Sequence, residues 1–191
     1  MEQLRPSQAL DQFFGSLSHS PGLRILDLGE FTQANVQFIT SLGHRLTFED
    51  FERSLTAALG PDASRADEVR AHHFLQHSLT YPPEHFDAIL IWDNLELVPP
   101  QMAAPIVDRL WSVLRPGGSL FACFHAEAKA GPVERFSFRI SDAKTLSLAP
   151  RGAGKAAQAH NNRSIEKLFS RFDAVKFYLT RDSVREVVVR K

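Results

Sequence analysis

Two nearly continuous apolar runs in the middle of the chain constrain its fold more than any other feature. Phe86–Trp92 and Ser119–Phe124 lack the alternation of a half-exposed strand, a pattern typical of strands covered on both faces. The segment between them starts after Pro99-Pro100, stops at Pro116-Gly117-Gly118 and has apolar residues at helical spacing: Ile106, Val107, Leu110, Val113 and Leu114. This order predicts two parallel strands joined by a crossover helix.

The same alternation of strands and helices precedes this unit. Strands are predicted at residues 24–28, 46–48 and, weakly, 73–77, and helices at 3–18, 33–42 and 51–71, the last broken at Gly60-Pro61. Repeated alternation of this kind favours a mostly parallel sheet with helices on both faces.

The last third of the chain has a different pattern. Residues 136–148 alternate apolar and polar side chains and predict a hairpin, whereas the Gly-, Ala- and Asn-rich residues 149–162 predict a loop. A helix with apolar residues from Ile165 to Phe172 follows, and residues 174–180 and 184–190 predict two closing antiparallel strands.

Composition limits the classes of function. At 191 residues the chain is long enough for one α/β domain, and Lys+Arg and Asp+Glu balance at 22 each, so no global charge favours nucleic acid or an anionic membrane. The N-terminal residues resemble no signal sequence, and no run approaches ~18 apolar residues. The single cysteine, Cys123, lies in a predicted buried strand and can form no internal disulfide. We therefore expect a cytoplasmic protein without a membrane span.

The segment after the first parallel strand poses the main functional question. Residues 25–35 read ILDLGEFTQAN, a buried strand that enters a loop and then a helix, where a nucleotide-binding chain carries several glycines. Only Gly29 is present, and Phe31 and Gln33 occupy the positions of a second and third glycine. A cofactor site built differently and a site filled by side chains are both compatible with this pattern.

Four segments together resemble the class I, Rossmann-like S-adenosylmethionine-dependent methyltransferases. In chain order they are ILDLG at the first strand, GHRLTFED at the second, FDAILIWDNLELVPP at the fourth and VLRPGGSLFA entering the fifth. The resemblance implies an α/β fold with a Rossmann-like seven-stranded, mostly parallel sheet, an antiparallel last strand and helices on both faces. It also implies one domain over residues 1–191, with an N-terminal helix in 1–21 and a hairpin-and-loop insertion in 127–162 over the ligand-binding edge.

The resemblance assigns candidate cofactor residues at the ends of two strands. Asp27, Gly29 and Glu30 match the family's first motif, where the backbone comes close to the methionine part of S-adenosylmethionine. Trp92 and Asp93 match the end of the fourth strand, which borders the ligand.

Two further positions correspond to the adenosine part of the ligand. Asp50 matches the acid that accepts hydrogen bonds from both ribose hydroxyls, with Glu49 as the alternative if the second strand ends earlier. Ser78 stands where an acidic residue usually follows the third strand, and its hydroxyl is a weaker acceptor for the adenine amino group than a carboxylate.

The resemblance leaves two functions open. The first is an S-adenosylmethionine-dependent methyltransferase that uses this cofactor, through an atypical loop, on a small-molecule or otherwise unknown acceptor. The second is a non-catalytic methyltransferase-like protein that acts as an interaction or scaffold module, with a protein partner or as a homodimer. We expect the orientation of Phe31 to distinguish the two functions. A ring that lies in the cleft as a plug favours the non-catalytic protein, and a ring that turns away leaves room for the cofactor.

Candidates for catalysis are few. His125 follows the fifth strand at the edge where open α/β sheets bind substrates, and it is either a general base or an ordinary loop histidine. Asp93 with Glu96 forms either an acid/base pair or a structural feature of a helix start. Four further histidines, His72, His73, His77 and His85, lack the spacing and supporting ligands of a metal site, so no metal is expected.

The predicted hairpin carries aromatic and basic residues in alternation, from Arg135 to Arg139. Stacking on nucleic acid is one interpretation of Phe136 and Phe138, but alternation on a half-buried strand explains them more simply, so nucleic acid is disfavoured as a partner. Because this hairpin is expected over the ligand edge, it is also a candidate lid or dimer surface.

Overall fold

Two sheets and six α-helices form the part of the chain that this computed structural model describes, which is residues 3–18, 20–60, 68–125, 131–180 and 184–191. The strands are β1 (Gln3–Pro6), β2 (Arg24–Asp27), β3 (Arg45–Phe48), β4 (Phe86–Trp92), β5 (Leu114–His125), β6 (Gly131–Asp142), β7 (Thr145–Ala156), β8 (Ala174–Leu179) and β9 (Val184–Arg190). The helices are α1 (Gln8–Leu17), α2 (Gln33–Ser41), α3 (Phe51–Leu59), α4 (Glu68–His77), α5 (Pro100–Val113) and α6 (Asn162–Leu168), and Asn94–Leu97 form a 3₁₀ turn.

The larger sheet is mixed, in the order β3-β2-β4-β5-β9-β8. Strands β3, β2, β4 and β5 pair in parallel, whereas β9 pairs antiparallel with both β5 and β8. The apolar run of β4 explains its central place, because Ile89 and Ile91 face one side of the sheet and Ala88 and Leu90 face the other, all fully buried. Helices α3 to α6 cover the first side, and α1 and α2 cover the second.

Among the described residues this sheet has six strands, and the predicted strand at residues 73–77 is wrong. These residues end α4, because Ala71 and Phe74 lie three positions apart on one helical face and are buried against the α3 side of the core. The ring centroids of Phe74 and Phe51 are 5.4 Å apart, which fixes α4 beside α3. Residues 61–67, within the predicted 51–71 helical segment, lie outside the described residues.

The N-terminal prediction of one helix over residues 3–18 is also wrong in its first part. Residues 3–6 form β1, which pairs antiparallel with β7, and α1 begins only after Ser7. The Ser7 hydroxyl accepts a hydrogen bond from the Leu10 amide at 2.9 Å, as an N-cap does. Leu4, an apolar residue of β1, is 69% exposed.

The predicted loop at residues 149–162 is in large part a strand. Residues up to Ala156 belong to β7, which pairs with β6 over nearly its whole length, and β1, β7 and β6 form a second, three-stranded antiparallel sheet. Gly154 fits this strand because the side chain of Arg135 lies where its Cβ would be, at 2.5 Å from Arg135 Cγ. Residues 126–130, which lead into the hairpin, lie outside the described residues.

The three-stranded sheet packs on the α1 side of the larger sheet. Phe138, Ile140, Leu146 and Leu148 of β6 and β7 are buried in the same cluster as the α1 residues and the β4 residue Trp92. Cys123 of β5 lies in this cluster, fully buried, and burial raises the pKa of its thiol well above the usual value. In the part of the chain that is described, no helix is long and apolar enough to cross a membrane.

A buried ion pair joins β1 to β9. Arg5 Nη2 lies 2.5 Å from Glu186 Oε1, and the Ser7 hydroxyl donates to Glu186 Oε2 at 2.8 Å. Glu186 is fully buried, so burial raises its pKa even though Arg5 and Ser7 act in the opposite direction. The pair therefore holds the first strand of the small sheet against the last strand of the large one.

Replacing Arg5 by Met should lower the free energy of unfolding by about 3–5 kcal/mol, because Glu186 is left as a buried charge without its partner. The matched control is Lys144→Ala, which removes the exposed Lys144–Asp11 pair at 3.5 Å and should cost about 1 kcal/mol or less. Urea denaturation followed by circular dichroism measures both. Equal costs for the two variants would contradict a stabilising role for the buried pair.

Candidate cofactor site

The carboxyl ends of β2 and β4 lie side by side and carry the first candidate residues. Asp27 is the last residue of β2 and pairs in register with Leu90 of β4, two residues before Trp92. Trp92 has a φ of 55°, a left-handed conformation that is a strong outlier for a bulky residue and costs on the order of 1–3 kcal/mol. Contacts of the Trp92 side chain must therefore hold it in place.

The strongest of these contacts is made to Asp27. Its Oδ1 accepts hydrogen bonds from Trp92 Nε1 at 2.7 Å and from the Gly29 amide at 2.9 Å, and its Oδ2 accepts from Asn35 Nδ2 at 3.2 Å. Burial raises the pKa of Asp27, while the three donors act to lower it. The carboxylate is thus occupied by the protein's own donors and organises the loop that enters α2.

The Trp92 indole covers Gly29. A Cβ on Gly29 would lie 2.5 Å from Trp92 Cδ1 and 2.6 Å from Nε1, so the indole uses the close approach that the missing side chain allows. The other face of the indole stacks on Phe138 of β6, with ring centroids 5.2 Å apart and planes 16° from parallel. The space next to Gly29, where the resemblance places the methionine part of the ligand, therefore holds Trp92 instead.

Little volume remains in this cleft. The cavity is about 10 Å³, which is room for about one water molecule, whereas small-molecule sites span roughly 300–1,000 Å³. The walls come from the loop after β2, the end of β4 and the hairpin: Gly29, Glu30, Trp92, Asp93, Asn94, Arg135, Phe136, Phe138 and Arg151. The cleft is closed by side chains of the chain itself.

Arg135 closes the side of the cleft next to Asp93. It is 5% exposed, and its Nη1 lies 2.8 Å from Asp93 Oδ2 without hydrogen-bond geometry and donates to the Asp93 carbonyl at 3.3 Å. Its Nη2 donates to Asn94 Oδ1 at 3.2 Å and to Glu52 at 3.4 Å. Burial raises the pKa of Asp93 to about 6, with Arg135 lowering it and Glu96 raising it.

His125, the candidate general base, is held at both ring nitrogens. Its Nδ1 lies 2.5 Å from Glu96 Oε2, its backbone amide donates to Glu96 Oε1 at 2.7 Å, and its Nε2 lies 3.0 Å from the Glu134 carbonyl. The hydrogen bond to Glu96 is the main cause of a raised pKa for His125. Two acceptors on two ring nitrogens suit the imidazolium form, which cross-links the 3₁₀ turn, β5 and β6 and has no free nitrogen for a substrate.

Phe31 lies outside the cleft. It is 58% exposed and packs edge-on against Phe48 of β3, with ring centroids 5.5 Å apart. Of the two orientations considered for Phe31, its ring therefore takes the one away from the cleft, and Trp92 and Phe138 fill the cleft. A separate open pocket of about 350 Å³ lies beside Phe31 and Gln33, toward Ser137 and Arg139 of β6.

The candidates for the adenosine part have structural partners. The Asp50 side chain caps α3 by accepting from the Arg53 amide at 3.0 Å, and Glu49 accepts from the Leu79 amide at 3.1 Å and the Tyr81 hydroxyl at 2.9 Å. Burial, and then Glu49, raises the pKa of Tyr81. Ser78 follows α4 instead of a third strand and is buried, so its position differs from the one the resemblance implies. Glu30 is exposed and pairs with Arg151 at 3.5 Å.

Sequence reasoning did not identify three residues that shape the cleft. Arg135 and Phe138 were interpreted as residues of a half-buried hairpin that is a candidate lid or dimer surface, not as residues that fill the cleft, and Asn35 was not considered. Asn35 is 1% exposed, donates to Asp27 and to the Phe138 carbonyl at 3.2 Å, and accepts from the Ile140 amide at 2.8 Å. A buried amide at the start of a helix was the available signal. Among the described residues no cluster of His, Cys, Asp or Glu could hold a metal ion.

Comparisons with known proteins show which solved structures share this fold. No protein-family model matches the chain, and no curated protein sequence matches it with significance. Solved structures do match: a Mesorhizobium loti S-adenosylmethionine-dependent methyltransferase is 17% identical with a TM-score of 0.54, covering 94% of this chain and 96% of that one. An Archaeoglobus fulgidus SAM-dependent methyltransferase is 10% identical with a TM-score of 0.56, covering 95% and 91%.

A third match is to an enzyme with its ligands in place. The 1,6-didemethyltoxoflavin-N1-methyltransferase of Burkholderia thailandensis, with bound 1,6-didemethyltoxoflavin and S-adenosylhomocysteine, is 14% identical with a TM-score of 0.52, covering 96% of this chain and 76% of that one. At sequence identities this low, the similarity to these structures shows a shared fold and not a shared activity.

Replacing Gly29 by Ala should destabilise the protein by about 1–3 kcal/mol, because the new methyl group meets the buried, hydrogen-bonded Trp92 indole. The matched control is Gly15→Ala on the exposed side of α1, where a Cβ meets no atom within 4 Å. This control should stabilise by about 0.5–1 kcal/mol, since alanine is the better helix former. Thermal and urea unfolding measure both, and a Gly29→Ala variant as stable as the parent would contradict the packing of Trp92 on Gly29.

The free energy of unfolding should fall as the pH rises from about 4 to about 6. In this window folded Asp93, with a pKa of about 6 against a usual 3.8, still holds a proton that the unfolded chain has released, so the contribution reaches up to about 3 kcal/mol. Asp93→Asn should flatten that slope, whereas Asp108→Asn, which alters an exposed pair with Arg171, should leave it unchanged. Urea unfolding at several pH values provides the test. Parallel curves for the parent and Asp93→Asn would contradict it.

Proposed function

From the class I S-adenosylmethionine-dependent methyltransferase fold of this chain, we propose that the protein is a non-catalytic member of that fold class and acts as an interaction or scaffold module. The observation that carries the proposal is the Trp92 indole on Gly29, stacked on Phe138, with about 10 Å³ left in the cleft. A sulfonium ligand would have to displace this side chain to reach the strand ends.

The energetic cost of displacing Trp92 supports the proposal. The buried Trp92–Asp27 hydrogen bond contributes on the order of 1–3 kcal/mol through its desolvated partner, and the stack on Phe138 adds about 0.5–1.5 kcal/mol. Opening the cleft therefore lowers cofactor affinity by about 2–4 kcal/mol, or about 30- to 1,000-fold.

The adenosine side of the cleft gives independent support. The Glu49 carboxylate already accepts hydrogen bonds from Leu79 and Tyr81, and the Asp50 carboxylate caps α3. These contacts fix the orientation of both carboxylates, so ribose hydroxyls could use only the acceptor sites that Leu79, Tyr81 and Arg53 leave free. Both carboxylates therefore have a structural role that does not require a ligand.

The neighbouring surface is suited to a protein contact. Phe31 and Phe48 expose aromatic rings at the carboxyl ends of β2 and β3, next to the filled cleft. Exposed aromatic pairs of this kind are enriched at protein–protein interfaces. In the proposed function this surface receives a protein partner or a second copy of the chain.

The second candidate is an S-adenosylmethionine-dependent methyltransferase acting on a small-molecule or other unknown acceptor. It is favoured by Asp27 and Gly29, which remain at the end of β2, and by the S-adenosylhomocysteine in the Burkholderia enzyme. In this alternative the β6–β7 hairpin lifts, Phe138 leaves Trp92 and the indole swings out of the cleft.

Isothermal titration calorimetry and thermal unfolding with S-adenosylhomocysteine and S-adenosylmethionine separate the two candidates. We expect neither heat of binding nor a shift in Tm at about 1 mM ligand. A ligand bound with a Kd of about 10 μM would stabilise the protein by about 2.7 kcal/mol at that concentration and raise Tm by about 5–10 °C. A shift of that size in the parent protein would overturn the non-catalytic proposal.

Variants that reopen the cleft test whether Trp92 and Phe138 are the side chains that prevent ligand binding. Trp92→Gly with Phe138→Ala removes both rings, and glycine tolerates the positive φ at position 92, so the variant should gain S-adenosylhomocysteine binding that the parent lacks. Phe31→Gly with Gln33→Gly is the matched control and should gain none, because the Phe31 ring lies outside the cleft. Circular dichroism checks that both variants fold. Binding restored by the control pair alone would contradict the assignment of Trp92 and Phe138 as the obstacle.

A further inference from the structure

A groove between α5 and α6 is separate from the filled cleft and shares no lining residue with it. Its volume is about 520 Å³, within the range of small-molecule sites. Small and apolar side chains form one wall, Pro100, Ala103 and Ala104 from α5 with Leu168 from α6. The alanines keep the wall open, because larger side chains at these positions would fill the space between the helices.

His160 lies at the buried end of this groove with unused hydrogen-bonding capacity. It is 4% exposed, and neither ring nitrogen makes a hydrogen bond of good geometry to a described residue, although the Leu95 carbonyl lies near enough to act on the ring. Its ring packs on Phe124 with centroids 4.9 Å apart. Buried polar groups are nearly always satisfied, so an unsatisfied imidazole in a cavity wall points to a ligand that completes it.

The protonation state of His160 determines which hydrogen bonds its ring can make to a ligand. Burial lowers its pKa, while the Glu96 charge and the Leu95 carbonyl act to raise it. The imidazole is therefore neutral at neutral pH, with one N–H donor and one acceptor nitrogen. An acceptor group on the ligand would satisfy the donor.

The charged side chains that line the groove, Asp108, Lys167 and Arg171, leave one net positive charge, and Glu96, whose charge also acts on His160, is not part of the lining. Arg171 Nη1 pairs with Asp108 Oδ1 at 3.1 Å, and the guanidinium also lies 4.1 Å from the centre of the Trp111 ring, so these two charges cancel. Lys167 is exposed at the groove and has no ion pair with any described residue. A monoanion balances this charge, whereas a phosphate dianion would exceed it.

We propose that the groove between α5 and α6 binds a small organic monocarboxylate. The carboxylate accepts hydrogen bonds from the His160 ring and the Lys167 ammonium, and its apolar body lies on Ala103, Ala104 and Leu168. The groove lies on the side of the large sheet that α3 to α6 cover, whereas the β6–β7 hairpin covers the other side. Binding in the groove therefore does not depend on whether the protein binds S-adenosylmethionine.

The test uses benzoate, its neutral isostere benzamide and inorganic phosphate as probes of the full chain, followed by protein-observed NMR of the His160 ring and by calorimetry. Benzoate should bind saturably with a Kd of about 1 mM and shift the His160 resonances. Benzamide and phosphate should bind at least about 10-fold more weakly than benzoate. Equal binding of benzoate and benzamide would overturn carboxylate recognition, and stronger binding of phosphate would overturn the monoanion preference. No saturable benzoate binding at all would overturn the site.

Variants separate ligand binding from a structural role for His160. His160→Phe keeps a ring against Phe124 and removes the unsatisfied nitrogens, so Tm should stay unchanged or rise while benzoate affinity falls about 10-fold. Lys167→Gln should weaken benzoate about 3- to 5-fold, and the control Lys176→Gln on β8 should leave it unchanged. A His160→Phe variant that loses stability and keeps benzoate affinity would show a packing role and overturn the proposal.

Discussion

The arrangement of the carboxyl ends of the parallel strands depends on one contact, the hydrogen bond from the Trp92 indole to the Asp27 carboxylate. It joins the ends of two central parallel strands in a setting where neither group reaches water. A buried carboxylate is tolerated only when donors surround it, and Trp92, the Gly29 amide and Asn35 supply them. Asn35 in turn binds the backbone of β6, so the same carboxylate indirectly fixes the hairpin over the strand ends.

Filling a cleft in this way preserves the architecture. The sheet order, the paired parallel strands and the two apolar layers do not require a ligand, because each apolar face is buried by helices or by the small sheet. The polar groups at the strand ends contact one another: Asp27 holds Trp92, Gly29 admits its ring, and Asp93 pairs with Arg135.

The parts predicted from sequence are those governed by local pattern. The run Phe86–Trp92 predicted a strand covered on both faces because it is almost continuously apolar, and the resemblance placed Asp27 and Gly29 at the end of the first parallel strand. The errors have tertiary causes. Residues 73–77 are too short a run to separate strand from helix, and the Gly-rich residues of β7 resemble a loop until Arg135 is seen to lie across Gly154.

The identity of the residue that fills the cleft was beyond sequence reasoning for a related reason. Phe31 and Trp92 are both large rings near the strand ends, and only their directions differ, one toward solvent and one across Gly29. The direction of Trp92 depends on Phe138, which is 46 positions later in the chain and arrives through the hairpin.

The contact between Arg5 and Glu186 has a consequence for the order of events during synthesis. The two residues are 181 positions apart, so the guanidinium emerges from the ribosome long before its carboxylate exists. β1 can pair with β7 before β9 is made, but Arg5 has no buried carboxylate partner until Glu186 is present. The ion pair therefore closes one of the longest loops in the fold, and the entropy of that closure is lost before the contact can stabilise the chain.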